Sequence, residues 1–577
     1  MPALESLRVE SVPAALTDAV DRLAADWEAD HRIQRLWDGD ATLWTGADED
    51  RWLGWLRVVP APPEALANLR GFAGDVAAGG FAHVVLMGMG GSSLCPDVLR
   101  QCFTRASGAP ALHVLDSTDP AQVRSIDERI DYPRTLFIVA SKSGTTLEPD
   151  LFLRYFRARA YTELGKDAAA GFVAITDPGS QLDQLARAER FRHVFHGIRS
   201  IGGRFSALSN FGLAPAAVMG LDMRLLLDRA AAMRAACEPG VPLQENPGAT
   251  LGLMLGAASA AGRDKVTFVI SPAYRALGAW LEQLLAESTG KAGVALIPVD
   301  GERAGPPNAY GDDRLFVYVR DQATPDAEQD AAVACLEAAG QPTIRLALRD
   351  AYDLGAEFYR WEFATAVAGA AMGINPFDQP DVEASKVETR RLTAAYEAEG
   401  ALPAEQPVLQ DGDVAAYTDA ANAAALAADR RSGSLGALLA AHCNRIGPGD
   451  YLALLAYVAM CAEHAGPLER IRHALRDARG CATSVGFGPR FLHSTGQAYK
   501  GGPDTGVFIQ ITCDDAADVP VPGRRCSFGV VKAAQARGDY QVLSERGRRL
   551  LRLHLTGDVA AGLNRIADLV EQTLRRG

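Results

Sequence analysis

The stretch HVVLMGMGGSSLCPDVL, residues 83–99, has the pattern of a buried strand, a glycine-rich turn and the start of a helix. Gly90 and Gly91 can adopt backbone conformations that other residues resist, so the main chain can approach a ligand closely there. Ser92 and Ser93 follow at the helix N-terminus, where free amide groups and the helix dipole favour an anion. Taken alone, the stretch predicts either a phosphate-binding turn or an ordinary tight connection.

The spacing of these glycines argues against a nucleotide cofactor. Dinucleotide-binding folds carry G-x-G-x-x-G, followed by an acidic residue about 20 positions further on. Residues 88–93, GMGGSS, do not fit that fingerprint. We therefore predict no cofactor at this turn.

Short apolar runs recur along the chain, with helix-like segments between them. They occupy residues 82–87, 111–115, 135–140 and 171–176, then 264–270, 294–299, 314–319 and 342–348, with a further run at 505–512. Parallel strands need long crossover connections, which are usually helices. The alternation therefore predicts an α/β fold whose parallel sheets are flanked by helices.

A chain of 577 residues is too long for one core, and its patterns divide it into five segments. We expect a helical segment at 1–75, a first α/β domain at 76–235, a second at 236–396, a linker at 397–420 and a C-terminal α/β domain at 421–577. The linker is acidic, and Pro403 and Pro407 break its helical pattern. An unstructured linker and an ordered connection both fit this composition.

The composition excludes several classes of protein. A formal net charge of -13 argues against a nucleic-acid partner, which would need a basic surface. Nine dispersed cysteines indicate reduced thiols in the cytoplasm. The N-terminus lacks a basic start followed by an apolar core, and no run of 18 apolar residues occurs, so we expect neither a signal peptide nor a membrane span. No metal site is predicted, because His193 and His196 have no further ligand types clustered beside them.

A second loop repeats the chemistry of the glycine turn. SKSGTT, residues 141–146, follows the apolar run 135–140 and combines four hydroxyl groups, one ammonium group and one glycine in six positions. Hydroxyl and amide donors at the carboxyl end of a parallel strand suit a phosphate monoester. The two loops together predict a site for a small phosphorylated molecule.

Five motifs carry a resemblance to the phosphoglucose isomerase family. In chain order they are GMGGSSL at 88–94, SKSGTTLEP at 141–149, IGGRFSALSNFGLAPA at 201–216, LLAESTGKAG at 284–293 and NPFDQPDVEASK at 375–386. The whole chain looks most like the isomerase part of transaldolase–phosphoglucose isomerase fusions. The resemblance implies sugar-isomerase domains, a homodimer without a cofactor or metal, and reversible conversion of glucose 6-phosphate to fructose 6-phosphate by enediolate proton transfer.

The resemblance also implies roles for individual residues. Those expected to hold the substrate phosphate are Ser92, Ser141, Ser143 and Thr146, with Lys142 contributing its backbone or its charge. Those expected to give the backbone room to approach the substrate are Gly90, Gly91 and Gly203. Glu287 matches the glutamate that shuttles the proton, Arg204 the arginine near the enediolate, and Lys386 a lysine that helps ring opening.

The sequence departs from the family at two places. Asp381 occupies a position that usually holds glycine, and a positive φ at that position would strain it. The histidine expected for ring opening is absent from residues 299–319. The motif FLHSTGQ at 491–497 resembles the segment that carries this histidine in the family. Either His493 reaches the sugar and opens the ring, from the same chain or a neighbouring subunit, or it serves the third domain while Lys386 or water opens the ring.

Two other functions fit parts of the sequence. An isomerase of broader specificity would also accept mannose 6-phosphate. A sugar-phosphate-binding regulator without catalysis would need the phosphate loops, but it would not need Glu287 beside Arg204 and Lys386. The presence of all three residues favours the enzyme.

Overall fold

The computed structural model describes residues 7–10, 12–429 and 433–576. Of the predicted segments, 1–75 and 421–577 therefore lie partly outside these ranges, and residues 430–432 lie wholly outside them. Three sheets with parallel core strands, flanked by helices, confirm the predicted α/β class. Within the described ranges, no helix combines the length and apolar character needed to cross a membrane.

The N-terminal segment is built into the core of the protein. It contains the strand β1 (Leu7–Glu10) and the helices α1 (Ala14–Ala29), α2 (Arg32–Asp38) and α3 (Pro63–Ala78). The fully buried Trp55 packs against Phe205 and Tyr359, with ring centroids 5.4 Å and 6.2 Å apart. The expectation of a helical segment at 1–75 therefore needs one correction, because β1 joins a sheet.

The first unit contains a five-stranded sheet. Its strands are β2 (His83–Met87), β3 (Ala111–Leu115), β4 (Thr135–Ala140), β5 (Phe172–Thr176) and β6 (His193–His196). The helices of this part are α4 (Leu94–Cys102), α5 (Pro120–Asp127), α6 (Leu147–Leu164), α7 (Gln181–Ala188), α8 (Asn210–Val218), α9 (Met223–Ala236) and α10 (Pro247–Ala260). Every residue of β4 and β5 is buried, as expected for strands covered by helices on both faces.

The second unit has four parallel strands and a short antiparallel edge. The strands are β7 (Lys265–Ile270), β8 (Ile297–Val299), β9 (Arg314–Asp321) and β10 (Thr343–Leu348), and β1 pairs antiparallel with β10. Its helices are α11 (Leu277–Thr289), α12 (Ala327–Ala338), α13 (Leu354–Met372) and α14 (Pro380–Glu399). The first two units and the N-terminal segment share one hydrophobic core.

The third unit has six strands. They are β11 (Leu409–Asp411), β12 (Val414–Tyr417), β13 (Tyr451–Tyr457), β14 (Ala482–Phe487), β15 (Gly506–Cys513) and β16 (Arg549–Leu555). Its helices are α15 (Ala420–Asp429), α16 (Leu435–Cys443), α17 (Ala462–Arg479), α18 (Gly496–Gly501), α19 (Phe528–Glu545) and α20 (Val559–Arg576). The predicted linker 397–420 is ordered, because it contains β11 and β12 and β12 pairs antiparallel with β16.

The three units share one strand order. In the orders β3-β2-β4-β5, β8-β7-β9-β10 and β14-β13-β15-β16, the earliest of the four strands along the chain lies between the second and the third. In such sheets, ligands bind outside the carboxyl ends of the strands, where the chain direction across the sheet reverses. In the first unit this point lies between β2 and β4, whose ends carry the glycine turn and the SKSGTT loop.

The third unit packs against both of the others. The rings of Phe152 on α6 and Phe528 on α19 stack with centroids 6.0 Å apart. On the other side, Ile297 of β8 shares an apolar cluster with Tyr451 and Phe491 of the third unit. The third unit is thereby held against the edge where the two predicted phosphate loops end.

Candidate active site

The glycine turn after β2 lies against three other segments of the chain. Gly90 has a φ of 52°, and a Cβ there would lie 2.6 Å from Gln283 Nε2 and 3.1 Å from the His493 carbonyl oxygen. A Cβ on Gly91 would lie 2.0 Å from the Gly203 carbonyl oxygen, whereas Gly203 has open space beside it. The absence of side chains at Gly90 and Gly91 therefore lets protein segments meet and brings His493 next to the turn.

The SKSGTT loop is folded around its own hydroxyl groups. The Ser141 hydroxyl donates to Thr146 Oγ1 at 3.1 Å and accepts the Gly144 backbone N–H at 3.2 Å. The Ser143 hydroxyl accepts the Thr145 backbone N–H at 3.2 Å. Ser141 is buried and Ser143 is exposed, so these predicted phosphate ligands occupy the inner and outer sides of the loop.

The other two predicted phosphate ligands differ in their surroundings. Ser92 is buried in the turn Gly90–Ser92. The Lys142 ammonium group lies 2.5 Å from Asp177 Oδ2 and donates to the Arg199 carbonyl oxygen at 3.2 Å. Because its charge is committed to Asp177, Lys142 is better suited to offer its backbone N–H than its ammonium group.

Glu287 and Arg204 form an ion pair at the end of α11. Arg204 Nη1 lies 3.3 Å from Glu287 Oε1. Gln283, one helical turn before Glu287, donates from Nε2 to Glu287 Oε2 at 3.0 Å and to the His493 carbonyl oxygen at 2.7 Å. Both oxygens of the Glu287 carboxylate thus have a partner, and the same glutamine links Glu287 to the segment that carries His493.

Arg204 is held rigidly in a buried position. Its Nε donates to Ser288 Oγ at 2.7 Å, and its Nη2 donates to the carbonyl oxygens of Pro376 at 2.6 Å and Asp378 at 2.9 Å. Burial lowers the pKa of Arg204 below its usual value, although the Glu287 carboxylate opposes this effect. Guanidinium groups stay protonated in proteins, so Arg204 places a fixed positive charge beside Glu287.

Lys291 reinforces the loop that holds Arg204. Its Nζ lies 2.6 Å from both the carbonyl oxygen and Oδ1 of Asp378 and donates to the Asn375 carbonyl oxygen at 2.7 Å. Burial and the charge of Arg204 lower the pKa of Lys291 to about 8, although Asp378 opposes them. Sequence reasoning assigned Lys291 no role, although it lies within the motif LLAESTGKAG.

His493 lies at the end of the short helical turn Arg490–His493 and enters this site within one chain. Its Nε2 lies 3.0 Å from Glu148 Oε1. The same oxygen accepts a hydrogen bond from Gln535 Nε2 at 2.6 Å, and the side-chain oxygen Oε1 of Gln535 accepts one from the Thr118 hydroxyl at 2.7 Å. Burial would raise the pKa of Glu148, but the charge and hydrogen bond of His493, together with a backbone hydrogen bond and the charge of Lys386, set that pKa below its usual value.

Lys386 lies at the rim of the site. Its side chain is 42% exposed, and its Nζ lies 3.5 Å from Glu383 Oε2. Its positive charge contributes to lowering the pKa of Glu148, so it is within electrostatic reach of the Glu148–His493 pair. In the described part of the chain, no hydrogen bond or ion pair joins Lys386 to Glu287 or Arg204.

Asp381 is not strained. It belongs to the first turn of α14, and it is absent from the non-glycine residues with positive φ in the described chain. Its Oδ1 lies 2.5 Å from Arg546 Nη2, and its Oδ2 accepts Gln497 Nε2 at 2.7 Å. The condition for strain, a positive φ, is therefore not met at this helical position.

Besides Lys291, three residues of this site were not predicted from sequence: Glu148, Gln283 and Gln535. Glu148 lies inside the motif SKSGTTLEP, and Gln283 directly precedes the motif LLAESTGKAG. Their closeness to the SKSGTT loop and to Glu287 in the sequence could therefore have identified them. Gln535 belongs to α19, far along the chain, and nothing in its local sequence points to Glu148. In the described part of the chain, no three histidine, cysteine or carboxylate side chains group as metal ligands would.

Sequence comparisons relate this chain to one family of known proteins. Residues 56–302 match the family model described as phosphoglucose isomerase. A glucose-6-phosphate isomerase from Rubrobacter xylanophilus is 33% identical over 387 residues, which cover 58% of this chain and 87% of that protein.

Two solved structures resemble the fold. A hypothetical protein from Thermus thermophilus, 27% identical, has a TM-score of 0.59 and covers 67% of this chain and 99% of its own. A glucose-6-phosphate isomerase from Chlamydia trachomatis, 24% identical, has a TM-score of 0.51 and covers 58% of this chain and 74% of its own. The matched segment 56–302 contains the glycine turn, the SKSGTT loop, Arg204 and Glu287. With a relative matched over most of its length and these residues inside the family model, this chain belongs to the phosphoglucose isomerase family.

Proposed function

We propose that this protein catalyses the reversible isomerisation of glucose 6-phosphate and fructose 6-phosphate through an enediolate. The observation that carries the proposal is the convergence of Glu287, Arg204 and His493 where the glycine turn and the SKSGTT loop end. A carboxylate, a fixed cation and an imidazole are the groups that an aldose–ketose isomerisation needs. The name of the Rubrobacter xylanophilus relative agrees with this reaction.

The phosphate of the sugar binds to the two loops. Ser143 presents an exposed hydroxyl, and Ser92, Ser141 and Thr146 offer further hydroxyls at the ends of β2 and β4. Several hydrogen-bond donors that converge on a dianion bind it more strongly than they would bind a neutral group. Each hydrogen bond to a charged group is worth about 1.5–3 kcal/mol. This anchoring fixes the sugar so that C1 and C2 lie against Glu287.

His493 opens the sugar ring by moving a proton between the O1 hydroxyl and the ring oxygen. A carboxylate only accepts hydrogen bonds, so His493 Nε2 carries the proton in its contact with Glu148. The other ring nitrogen, Nδ1, has no hydrogen-bond partner in the described chain and is left to exchange a proton with the sugar. Lys386, at the rim, supplies a positive charge on the same side.

Glu287 transfers the proton between C1 and C2. The ion pair with Arg204 and the bond from Gln283 fix both carboxylate oxygens, so the base has one orientation relative to the bound sugar. In the enediolate, negative charge develops on the oxygens of C1 and C2. Arg204, oriented in advance by Ser288 and by backbone carbonyl groups, is placed to stabilise that charge without reorganisation.

The base assignment is tested with Glu287→Gln in a coupled assay of isomerisation and in an assay of C2 hydrogen exchange with solvent deuterium. General-base catalysis contributes about 10²–10⁴-fold, so both rates should fall by about 10³-fold. Glu128→Gln, on the exposed end of α5, is the matched control. Wild-type C2 exchange in Glu287→Gln would exclude Glu287 as the base, and a wild-type protein that isomerises neither sugar phosphate would exclude the function.

The ring-opening assignment is tested with His493→Ala on two substrates. The variant should lose about 10²-fold or more with fructose 6-phosphate. It should keep C2 exchange with a tetrose 4-phosphate, whose C4 oxygen carries the phosphate and cannot close a ring. An equal loss on both substrates would exclude a role specific to ring opening.

Glu287 also bears on the two other functions considered from sequence. A regulator without catalysis is not favoured, because its site would need no carboxylate fixed beside a buried guanidinium group. Acceptance of mannose 6-phosphate stays a prediction, which the same coupled assay tests directly.

The state of assembly and the location in the cell also remain proposals. We expect a homodimer and a cytoplasmic enzyme. Because Glu287, Arg204 and His493 meet within one chain, dimer formation is not required to complete this set of residues.

A further inference from the structure

Gln497 has an unusually complete set of partners for a buried side chain. It lies on α18, four residues after His493, and is fully buried. Its Oε1 accepts the backbone N–H groups of Asp381 at 3.0 Å and Val382 at 3.1 Å. Its Nε2 donates to the Gly290 carbonyl oxygen at 2.9 Å and to Asp381 Oδ2 at 2.7 Å. All four bonds that a primary amide commonly makes are therefore formed.

These partners lie on the segments that carry the other predicted site residues. Gly290 caps the C-terminus of α11, three residues after Glu287. Asp381 and Val382 form the first turn of α14, which carries Lys386. No side chain of the preceding residue caps this helix, so Gln497 supplies the cap from another part of the chain. One amide thus joins the three segments on which Glu287, Lys386 and His493 are placed.

The backbone around Gln497 is closely packed. A Cβ on Gly290 would lie 2.2 Å from the Cα of Ala498, and a Cβ on Gly501 would lie 2.2 Å from Asp381 Oδ2. The other Asp381 oxygen is 2.5 Å from Arg546 Nη2, so the partner of Gln497 is itself fixed. The segments can therefore approach the amide closely, because Gly290 and Gly501 have no side chains.

We infer that Gln497 is a positioning residue, which sets the place of His493 relative to Glu287 and Lys386, and that Asp381 is its dedicated partner. The inference rests on the proposed function. His493 is the group most sensitive to Gln497, because its segment is short, whereas Glu287 belongs to a long buried helix and is also held by Arg204. A displacement of about 1 Å between reacting groups costs about 10²-fold in rate.

The test uses Gln497→Met, which keeps the approximate size of the side chain and removes its polar atoms. Gln541→Met, at an exposed position of α19, is the matched control. Two rates are measured in the full-length protein: turnover of fructose 6-phosphate and C2 exchange of a tetrose 4-phosphate that cannot form a ring. Gln497→Met should lower the first rate by about 10–100-fold and the ratio of the first to the second by at least about fivefold. KM should change by less than about threefold, because the phosphate loops are untouched.

This ratio separates positioning from a loss of folded protein. A smaller folded fraction lowers both rates by the same factor and leaves the ratio unchanged, and that result would overturn the inference. If Gln497→Met does not fold, Gln497→Asn decides, since it keeps the amide but shortens its reach; an unchanged ratio there also overturns the inference. A wild-type protein inactive on fructose 6-phosphate would instead refute the proposed function, so the two failures are distinguishable.

Discussion

Replacing Glu148 by glutamine isolates the contribution of one negative charge to ring opening. His493 Nε2 and Gln535 Nε2 both bond to the same oxygen of Glu148, at 3.0 Å and 2.6 Å. The carbonyl oxygen of a glutamine in that position can accept both bonds, so Glu148→Gln keeps the geometry and removes the charge. Any change in rate then reports how far the carboxylate stabilises the imidazolium form that His493 adopts during proton transfer.

The size of the effect follows from the strength of the bond. A hydrogen bond to a charged group is worth about 1.5–3 kcal/mol and a neutral one about 0.5–1.5 kcal/mol. The charge at 3.0 Å adds a Coulomb interaction that burial strengthens, and the total loss is about 1–3 kcal/mol. Since about 1.36 kcal/mol is tenfold in rate, turnover of fructose 6-phosphate should fall by about 5–150-fold.

The assay is the coupled isomerase reaction, run beside C2 deuterium exchange of a ring-free tetrose 4-phosphate. Hexose turnover should fall in Glu148→Gln, and tetrose exchange should stay within about threefold of wild type, because Glu287 and Arg204 are unchanged. Glu128→Gln, at an exposed position directly after α5, is the control. If Glu148→Gln isomerises fructose 6-phosphate at the wild-type rate, the carboxylate does not assist His493 and the reasoning is refuted.

Two further predictions concern substrate affinity and pH. Ser143→Ala should raise KM for fructose 6-phosphate about tenfold with little change in kcat, because one exposed donor to the phosphate is lost; an unchanged KM would remove Ser143 from the phosphate site. Burial, with the charge of Asp300, raises the pKa of Glu282 from 4.5 to about 7, so folding weakens as pH rises through that window. Glu282→Gln, which can still accept the Ser494 hydroxyl, should therefore raise Tm more at about pH 8 than at about pH 5; equal shifts would contradict this.

Local patterns were sufficient for the central strands and the two loops. The predicted run at 135–140 is β4 residue for residue, and the loop SKSGTT lies at its end. Short edge strands were not predictable in this way. β1 and β12 each have four residues, and each pairs with a strand more than a hundred positions away along the chain, so their pairing depends on tertiary contacts and not on local sequence.

The site, like the fold, is predictable from local sequence only in part. The motif FLHSTGQ identifies His493 as a candidate site residue. Only the packing of α19 and α18 against the first two units brings His493 to Glu148. The ion pair between Lys142 and Asp177 depends on the return of the chain from β5. Spacing along the chain identifies residue types suited to a reaction, and it does not fix which way a long side chain turns.

The order of the segments has a consequence for how the site arises during synthesis. Arg204, Glu287 and Lys386 have all been made before residue 400, and proteins are synthesised at about 5–20 residues per second, N-terminus first. His493 follows later, and its sheet needs β16 to pair with β12. A growing chain therefore contains the residues proposed for proton transfer before the histidine proposed for ring opening can reach its position. With the proposed roles, the residues that act on open-chain sugars would be synthesised first, and the residue that allows closed rings to react would be added last.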